Sequence, residues 1–175
     1  QWIYFLMVDR FNNSAAPPRH QPFDDPGFFG FQGGNFAGIQ DRLAYIKGLG
    51  AGALWLSPVL KNVPFEEGTY HGYGIHDFLR ADPRFAKNPG HADEELRSLV
   101  DAAHKVGLFV ILDIVLNHTG NAFAYTCEQG EQNCQKSKGA EADFRPSARP
   151  IEWRDASGQA KPEWPDIATI PSPPR

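Results

Sequence analysis

An α/β fold built on a parallel sheet is the class this sequence predicts, and three observations predict it. Two strand–loop–helix units follow one another and lead into a third strand, an order that implies parallel strands crossed over by helices. The run Gly107-Leu108-Phe109-Val110-Ile111-Leu112-Asp113-Ile114-Val115-Leu116 is apolar without alternation, as expected of a strand covered on both faces. The long loops all follow the carboxyl ends of strands.

Residues 2–8 form the first apolar run and are expected to be a buried strand, ending at the charged pair Asp9-Arg10. Residues 12–34 follow, rich in Asn, Pro, Asp and Gly, and too long for an ordinary connection. Phe23, Phe28, Phe29 and Phe31 argue that this loop is ordered. Ile39, Leu43, Ile46 and Leu49 recur at helical spacing, with Gly48 and Gly50 placed to stop the helix. Residues 52–57 are the second strand, halted by Pro58. A second long loop runs over residues 59–89 and carries Tyr70-His71-Gly72-Tyr73-Gly74-Ile75-His76-Asp77-Phe78.

Asp93-Glu94-Glu95 opens the next helix, where acidic side chains complement the helix dipole. Leu96, Leu99, Val100, Ala103 and Val106 form its apolar stripe, and Gly107 ends it. The third strand then runs to a polar exit at Asp113, Asn117 and His118. A carboxylate there needs a partner, because burying it alone is costly. Beyond residue 120 the periodicity vanishes, and seven prolines follow from Pro146 onward. This stretch reads as an irregular inserted subdomain, so the expected division is 1–119 and 120–175.

Bulk composition narrows the function. The 175 residues are 41% hydrophobic and 22% charged, which suits one globular domain. A net charge of −4, with no Lys/Arg cluster, argues against nucleic acid or an anionic membrane as partner. No apolar stretch approaches the ~20 residues that span a bilayer. Cys127 and Cys134 lack zinc-ligand spacing. A small-loop disulfide in an oxidising compartment is the favoured reading, with two free thiols as the alternative.

Two parallel-sheet architectures compete. A doubly wound nucleotide-binding fold needs a short glycine-rich turn after its first strand, and here a long aromatic loop stands instead. A (β/α)8 TIM barrel places its active site in the loops after its strands, which is where this chain carries its length. Such a barrel takes about 250 residues. With three strands and two helices, the chain is expected to be an incomplete barrel, the N-terminal part of a longer polypeptide. Arg175, after Pro-Ser-Pro-Pro, suits cleavage in an exposed loop.

Three collinear segments resemble the α-amylase superfamily, glycoside hydrolase family 13. Asp113-Ile114-Val115-Leu116-Asn117-His118 is similar to the family's D-x-V-x-N-H region at the end of the third strand. Tyr70-His71-Gly72-Tyr73 with Asp77-Phe78 resembles the second-loop motif of amylases and cyclodextrin glycosyltransferases. Gly33-Gly34-Asn35-Phe36-Ala37-Gly38-Ile39 resembles the segment entering the first helix, and Asp9-Arg10-Phe11 precedes them all.

The resemblance implies a retaining, double-displacement enzyme acting on α-1,4-glucans such as starch and maltooligosaccharides. It implies that Tyr73 stacks on the sugar beside the scissile bond, that His118 contacts its hydroxyls, and that His71 lies near it. Aromatic faces pack on pyranose rings and imidazoles bond to hydroxyls, so these roles are physically reasonable. Asp113 would support the centre. Asn117 would be a calcium ligand, one part of a site completed elsewhere. Asn13 and Asn35 fall near the ligands of a second calcium site in some relatives, but Ala15, Ala16, Pro17 and Pro18 stand where several others would be. His76 and Trp55 are read as structural.

Retaining glycosidases need two carboxyl groups roughly 5 Å apart, and in this family they come from later strands. None of Asp9, Asp77 or Asp113 matches the nucleophile, so the catalytic carboxylates are expected beyond Arg175 and the 175 residues alone are expected to be inactive. The partners expected are an α-glucan and the remainder of the barrel, and the expected location is extracellular or periplasmic. The alternatives are a transglycosylase of the cyclodextrin glycosyltransferase type and a carbohydrate-binding relative without catalysis. A nucleotide enzyme would need a phosphate loop that is absent.

Overall fold

The computed structural model describes residues 2–22, 25, 27–121, 123–125, 151–155 and 157–161. They fall into two units, 1–120 and 121–175. Cys127 and Cys134, and with them the expected disulfide, lie outside the described residues.

Unit 1 is built on three parallel strands, β1 (Trp2–Leu6), β2 (Ala51–Leu56) and, after two intervening strands, β5 (Phe109–Leu112), in the order β1-β2-β5. Tyr4, Leu54 and Val110 stand side by side across the sheet, as do Leu6, Leu56 and Leu112. The face carrying Leu6, Leu54 and Leu56 meets the helices and buries these three residues, while Leu112 at its β5 edge is exposed. The opposite face carries Ile3, Phe5, Trp55, Phe109 and Ile111, each more than a third exposed and Phe109 at 70%. The unbroken apolar run therefore does not mean burial on both faces here. One side packs, and the other is open among the described residues.

A short helix α1 (Val8–Phe11) follows β1 directly and places Asp9 and Arg10 at the strand's mouth. The single helix expected over residues 39–49 is two, α2 (Phe36–Gln40) and α3 (Leu43–Gly48). The backbone tightens between them, where Arg42 N–H donates to Ile39 O at 2.9 Å. The apolar stripe survives the break: Phe36, Ile39, Leu43 and Ile46 are all buried, while Leu49 is exposed. Asn35 starts α2, its side-chain oxygen accepting Gly38 N–H at 2.8 Å.

The second long loop is an antiparallel hairpin, β3 (Leu60–Asn62) and β4 (Ile75–Ala81), with register shifts on both sides of Lys61. Helix α4 (Ala92–Lys105) then buries Leu99 and Ala103 against the core, with Leu96 partly buried beside them. It stops at Gly107, whose φ of +72° suits glycine. Unit 2 holds a small antiparallel sheet, β6 (Phe123–Tyr125), β7 (Ile151–Arg154) and β8 (Ala160–Lys161), in the order β6-β7-β8. It has regular structure where the sequence reads as irregular.

Candidate functional site

The carboxyl ends of all three parallel strands open toward polar residues: Asp9-Arg10 after β1, Ser57 after β2 and Asp113 after β5. Ser57 ties the first two together, its N–H donating to Leu6 O at 3.0 Å and its hydroxyl accepting Val8 N–H at 3.2 Å.

The hairpin brings the second-loop motif over this end. Buried Asn62 holds it, its side-chain oxygen accepting Gly74 N–H at 2.5 Å while its own N–H donates to buried Asp82 at 2.9 Å. Arg84 satisfies Asp82 with two further bonds, from Nε at 3.0 Å and Nη2 at 2.7 Å. Gly72 completes the turn at φ +88°, and a Cβ there would run into the Pro58 carbonyl oxygen. The exit of β5 is held from the same hairpin, by Gly120 N–H donating to Ile75 O at 2.7 Å.

These constraints bring four of the sequence-assigned residues together. The Tyr73 hydroxyl donates to Asp113 Oδ2 at 2.9 Å, which supplies the partner that carboxylate needs. Tyr73 N–H donates to His71 Nδ1 at 2.9 Å. His118 Nε2 lies 3.2 Å from Tyr73 O, and since a carbonyl only accepts, this nitrogen carries the proton. As neutral tautomers with these bonds the two rings present opposite chemistry: His71 offers Nε2–H as a donor, and His118 offers Nδ1 as an acceptor. A sugar hydroxyl, which both donates and accepts, suits either.

Burial lowers the His71 pKa and keeps the imidazole neutral at physiological pH. Burial also raises the Tyr73 pKa, helped by the hydrogen bond to Asp113 and by its charge. The phenol therefore remains a neutral donor. His118 is exposed and His71 and Tyr73 are half-buried, as an open binding wall requires.

Of the residues expected as metal ligands, Asn13 and Asn35 line one cleft, together with Asp41. Asn117 is exposed at the strand exit, and among the described residues its carboxamide meets no partner. Calcium takes six to eight oxygens, and no group of three or more His, Cys, Asp or Glu suited to a metal occurs among the described residues. Asn117 alone does not make a calcium site. The oxygens of Asn13 and Asn35 are engaged, by Ala15 N–H at 3.0 Å and by Gly38 N–H. A cleft of about 130 Å3 beside Asp9, Arg10 and Asn13 is lined by none of His71, Tyr73 or His118.

The Trp55 and Phe5 rings meet in a T-shaped pair with centroids 5.1 Å apart. His76 sits in β4, with Nε2 buried and unpaired. The scaffold residues Asn62, Asp82 and Arg84 belong to none of the motifs in the sequence. Asp82-Pro83-Arg84 carried a signal, because an Asp before Pro reads as the cap of a turn, and Asp82 accepts Arg84 N–H at 2.9 Å.

Comparison with known proteins bears on this geometry. The family model for the alpha-amylase catalytic domain matches residues 5–167. An alpha-amylase of Streptomyces lividans is 40% identical over 108 residues, covering 58% of this chain and 11% of that protein. The periplasmic alpha-amylase of Escherichia coli (strain K12) is 31% identical over 172 residues, covering 90% of this chain and 25% of the relative. Among solved structures, an alpha-amylase from Geobacillus thermoleovorans complexed with acarbose is 38% identical with a TM-score of 0.54, covering 75% of this chain and 29% of its own. A neopullulanase and a cyclomaltodextrin glucanotransferase are also similar. The chain thus spans a quarter or less of the length of these two alpha-amylases.

Proposed function

The chain belongs to the alpha-amylase catalytic-domain family, its three parallel strands being strands of a (β/α)8 barrel, and from that premise we propose that it supplies the glucosyl-binding wall of an α-amylase-type glycoside hydrolase. The substrate is an α-1,4-glucan or maltooligosaccharide. The observation that carries the proposal is the Tyr73–Asp113 hydrogen bond, flanked by His71 and His118. It fixes one edge of the Tyr73 ring and leaves its face to stack on a pyranose. His71 then donates to one hydroxyl and His118 accepts from another, so the sugar is both stacked and oriented.

Bond cleavage by a retaining double displacement is assigned to none of the described residues. Asp9 is buried and occupied by Arg10 and two backbone N–H groups, and Asp113 holds Tyr73. Neither carboxylate is free to attack an anomeric carbon. The apolar sheet face is covered, in this proposal, by further strands of the same barrel. Asn117 contributes one ligand to a calcium site completed elsewhere, and no step depends on it. An extracellular or periplasmic location is proposed with support from the periplasmic relative. No described helix is long and apolar enough to cross a membrane.

The test is to titrate the intact polypeptide with maltotriose or acarbose and to assay starch hydrolysis, for wild type and Tyr73→Ala. Loss of affinity and turnover on truncation is expected, and unchanged values would remove Tyr73 from the site. Transglycosylation is a second reading, favoured by the glucanotransferase match. Chromatography of the products separates the two readings, since reducing ends accumulate only under hydrolysis. Binding without either product would mark a non-catalytic relative.

A further inference from the structure

Arg10 has no part in the proposed sugar contacts, yet the first and second loops meet on its guanidinium. Nη1 donates to Asp9, and Nη2 donates to Gly30 O at 2.9 Å. Asp9 is itself immobilised, its oxygens accepting Gln32 N–H and Gly33 N–H, each at 2.9 Å. The planar cation so clamped lies 3.8 Å from the centroid of the Tyr70 ring, sixty positions along the chain. From there the contacts run toward the site. Tyr70 meets the His71 imidazole edge-on at 5.3 Å, and His71 lies 5.5 Å from the Tyr73 ring while accepting its N–H.

We propose that Arg10 is a positioning residue for the sugar-binding wall: its clamped guanidinium holds Tyr70, and through Tyr70 sets the orientation of His71 and Tyr73. The proposal rests on the glucosyl-binding reading of Tyr73. Direct contact with substrate is disfavoured, because the Arg10 side chain is only 21% exposed and its donors already face Asp9 and Gly30. Within the first loop the guanidinium also binds Gly30 O and lies 6.0 Å from the Phe28 ring, while Asp9 holds Gln32 and Gly33 independently of it. The contact by which Arg10 reaches the second loop is the stacked plane over Tyr70. Lysine keeps the charge but has no plane to stack, so Arg10→Lys separates the two roles.

The experiment is a double-mutant cycle in the intact polypeptide, measuring kcat/KM on a maltooligosaccharide and the melting temperature. Arg10→Lys is expected to lower kcat/KM about tenfold with a melting shift under about 5 °C. In a Tyr73→Ala background the same substitution is expected to cost little more, because its effect runs through the ring already removed. Tyr70→Leu, which takes away the stacked ring and leaves the Asp9 clamp, is expected to show the same non-additivity, and it decides the matter if Arg10→Lys does not fold. An unchanged kcat/KM in Arg10→Lys, or a full additive loss in the Tyr73→Ala background, overturns the proposal. A Tyr73→Ala variant with wild-type kinetics overturns instead the glucosyl-binding reading on which it rests.

Discussion

His71 and His118 differ in what holds them, and this decides what each can be tested for. His118 is exposed and has a single 3.2 Å bond to a carbonyl. His118→Ala is therefore expected to lower turnover roughly tenfold or more with the melting temperature nearly unchanged. A large stability loss with intact turnover would make it a structural residue. His76 tests the opposite behaviour. Its pKa is lowered chiefly by burial and further by Lys61 and Arg84, against the raising influence of Asp77 and Asp82. A histidine with a lowered folded-state pKa binds its proton better when unfolded. Its contribution to stability is intact above the unfolded pKa of about 6.5 and is lost as pH falls through that value toward the folded one. The urea midpoint is expected to fall between about pH 7 and 5, and to fall less in His76→Leu; an identical pH slope in the variant would exclude His76 as a source. The sequence motifs made Tyr73 and His118 legible, and the cost of a lone carboxylate made Asp113's need for a partner legible. That the partner is Tyr73 was not legible, because the pair is forty positions apart and depends on the hairpin's register.

The elements are legible in the sequence where one face repeats at a fixed period and obscure where tertiary contacts decide. Helix α4 begins one residue before its acidic triplet and ends just ahead of Gly107, close to its sequence signals. The hairpin β3–β4 left no comparable signal, since two register shifts interrupt its alternation and a buried side chain, Asn62, does the work of a ladder bond. The short helix α1 is hidden for another reason: Val8 closes the apolar run in the sequence, though it is the first residue of the helix. The hairpin's dependence on one backbone geometry can be measured. Gly72→Ala would place a methyl group against the Pro58 carbonyl at a φ of +88°. Left-handed strain alone costs about 1–3 kcal/mol, and the clash adds to it. The urea midpoint of Gly72→Ala is expected to drop by the equivalent of at least about 2 kcal/mol, together with loss of glucan binding, because Tyr73 is next in the chain. Wild-type stability in this variant would mean that the turn is not the one described.

At the scale of the molecule the proposal needs two things that the described residues of unit 1 do not provide: a full set of metal ligands around Asn117 and a cover for the sheet. If Asn117 ligates calcium in the folded intact protein, excess chelator is expected to lower the melting temperature, because an ion bound only to the folded state stabilises it by mass action. An unchanged melting point would strike Asn117 from the ligand set. The sheet makes the stronger demand. Ile3, Phe5, Trp55, Phe109 and Ile111 form one contiguous apolar face across three strands, and β1 and β5 pair only with β2 among the described residues. Exposed aromatic and aliphatic surface on that scale, flanked by two open strand edges, favours association over a stable monomer. Residues 1–175 expressed alone are therefore expected to bind a hydrophobic dye strongly and to elute as oligomers or aggregates. Charged substitutions on the open face, Phe109→Lys with Ile3→Glu, are expected to reduce both signals, since neither residue belongs to the buried helix-facing core. The same substitutions in the intact protein should do the reverse and destabilise it, because there the face lies inside a barrel and two charges would be buried. A monodisperse 19.5 kDa monomer that binds no dye and unfolds cooperatively would mean that this face needs no cover, and would remove the barrel interior as the reason for its composition.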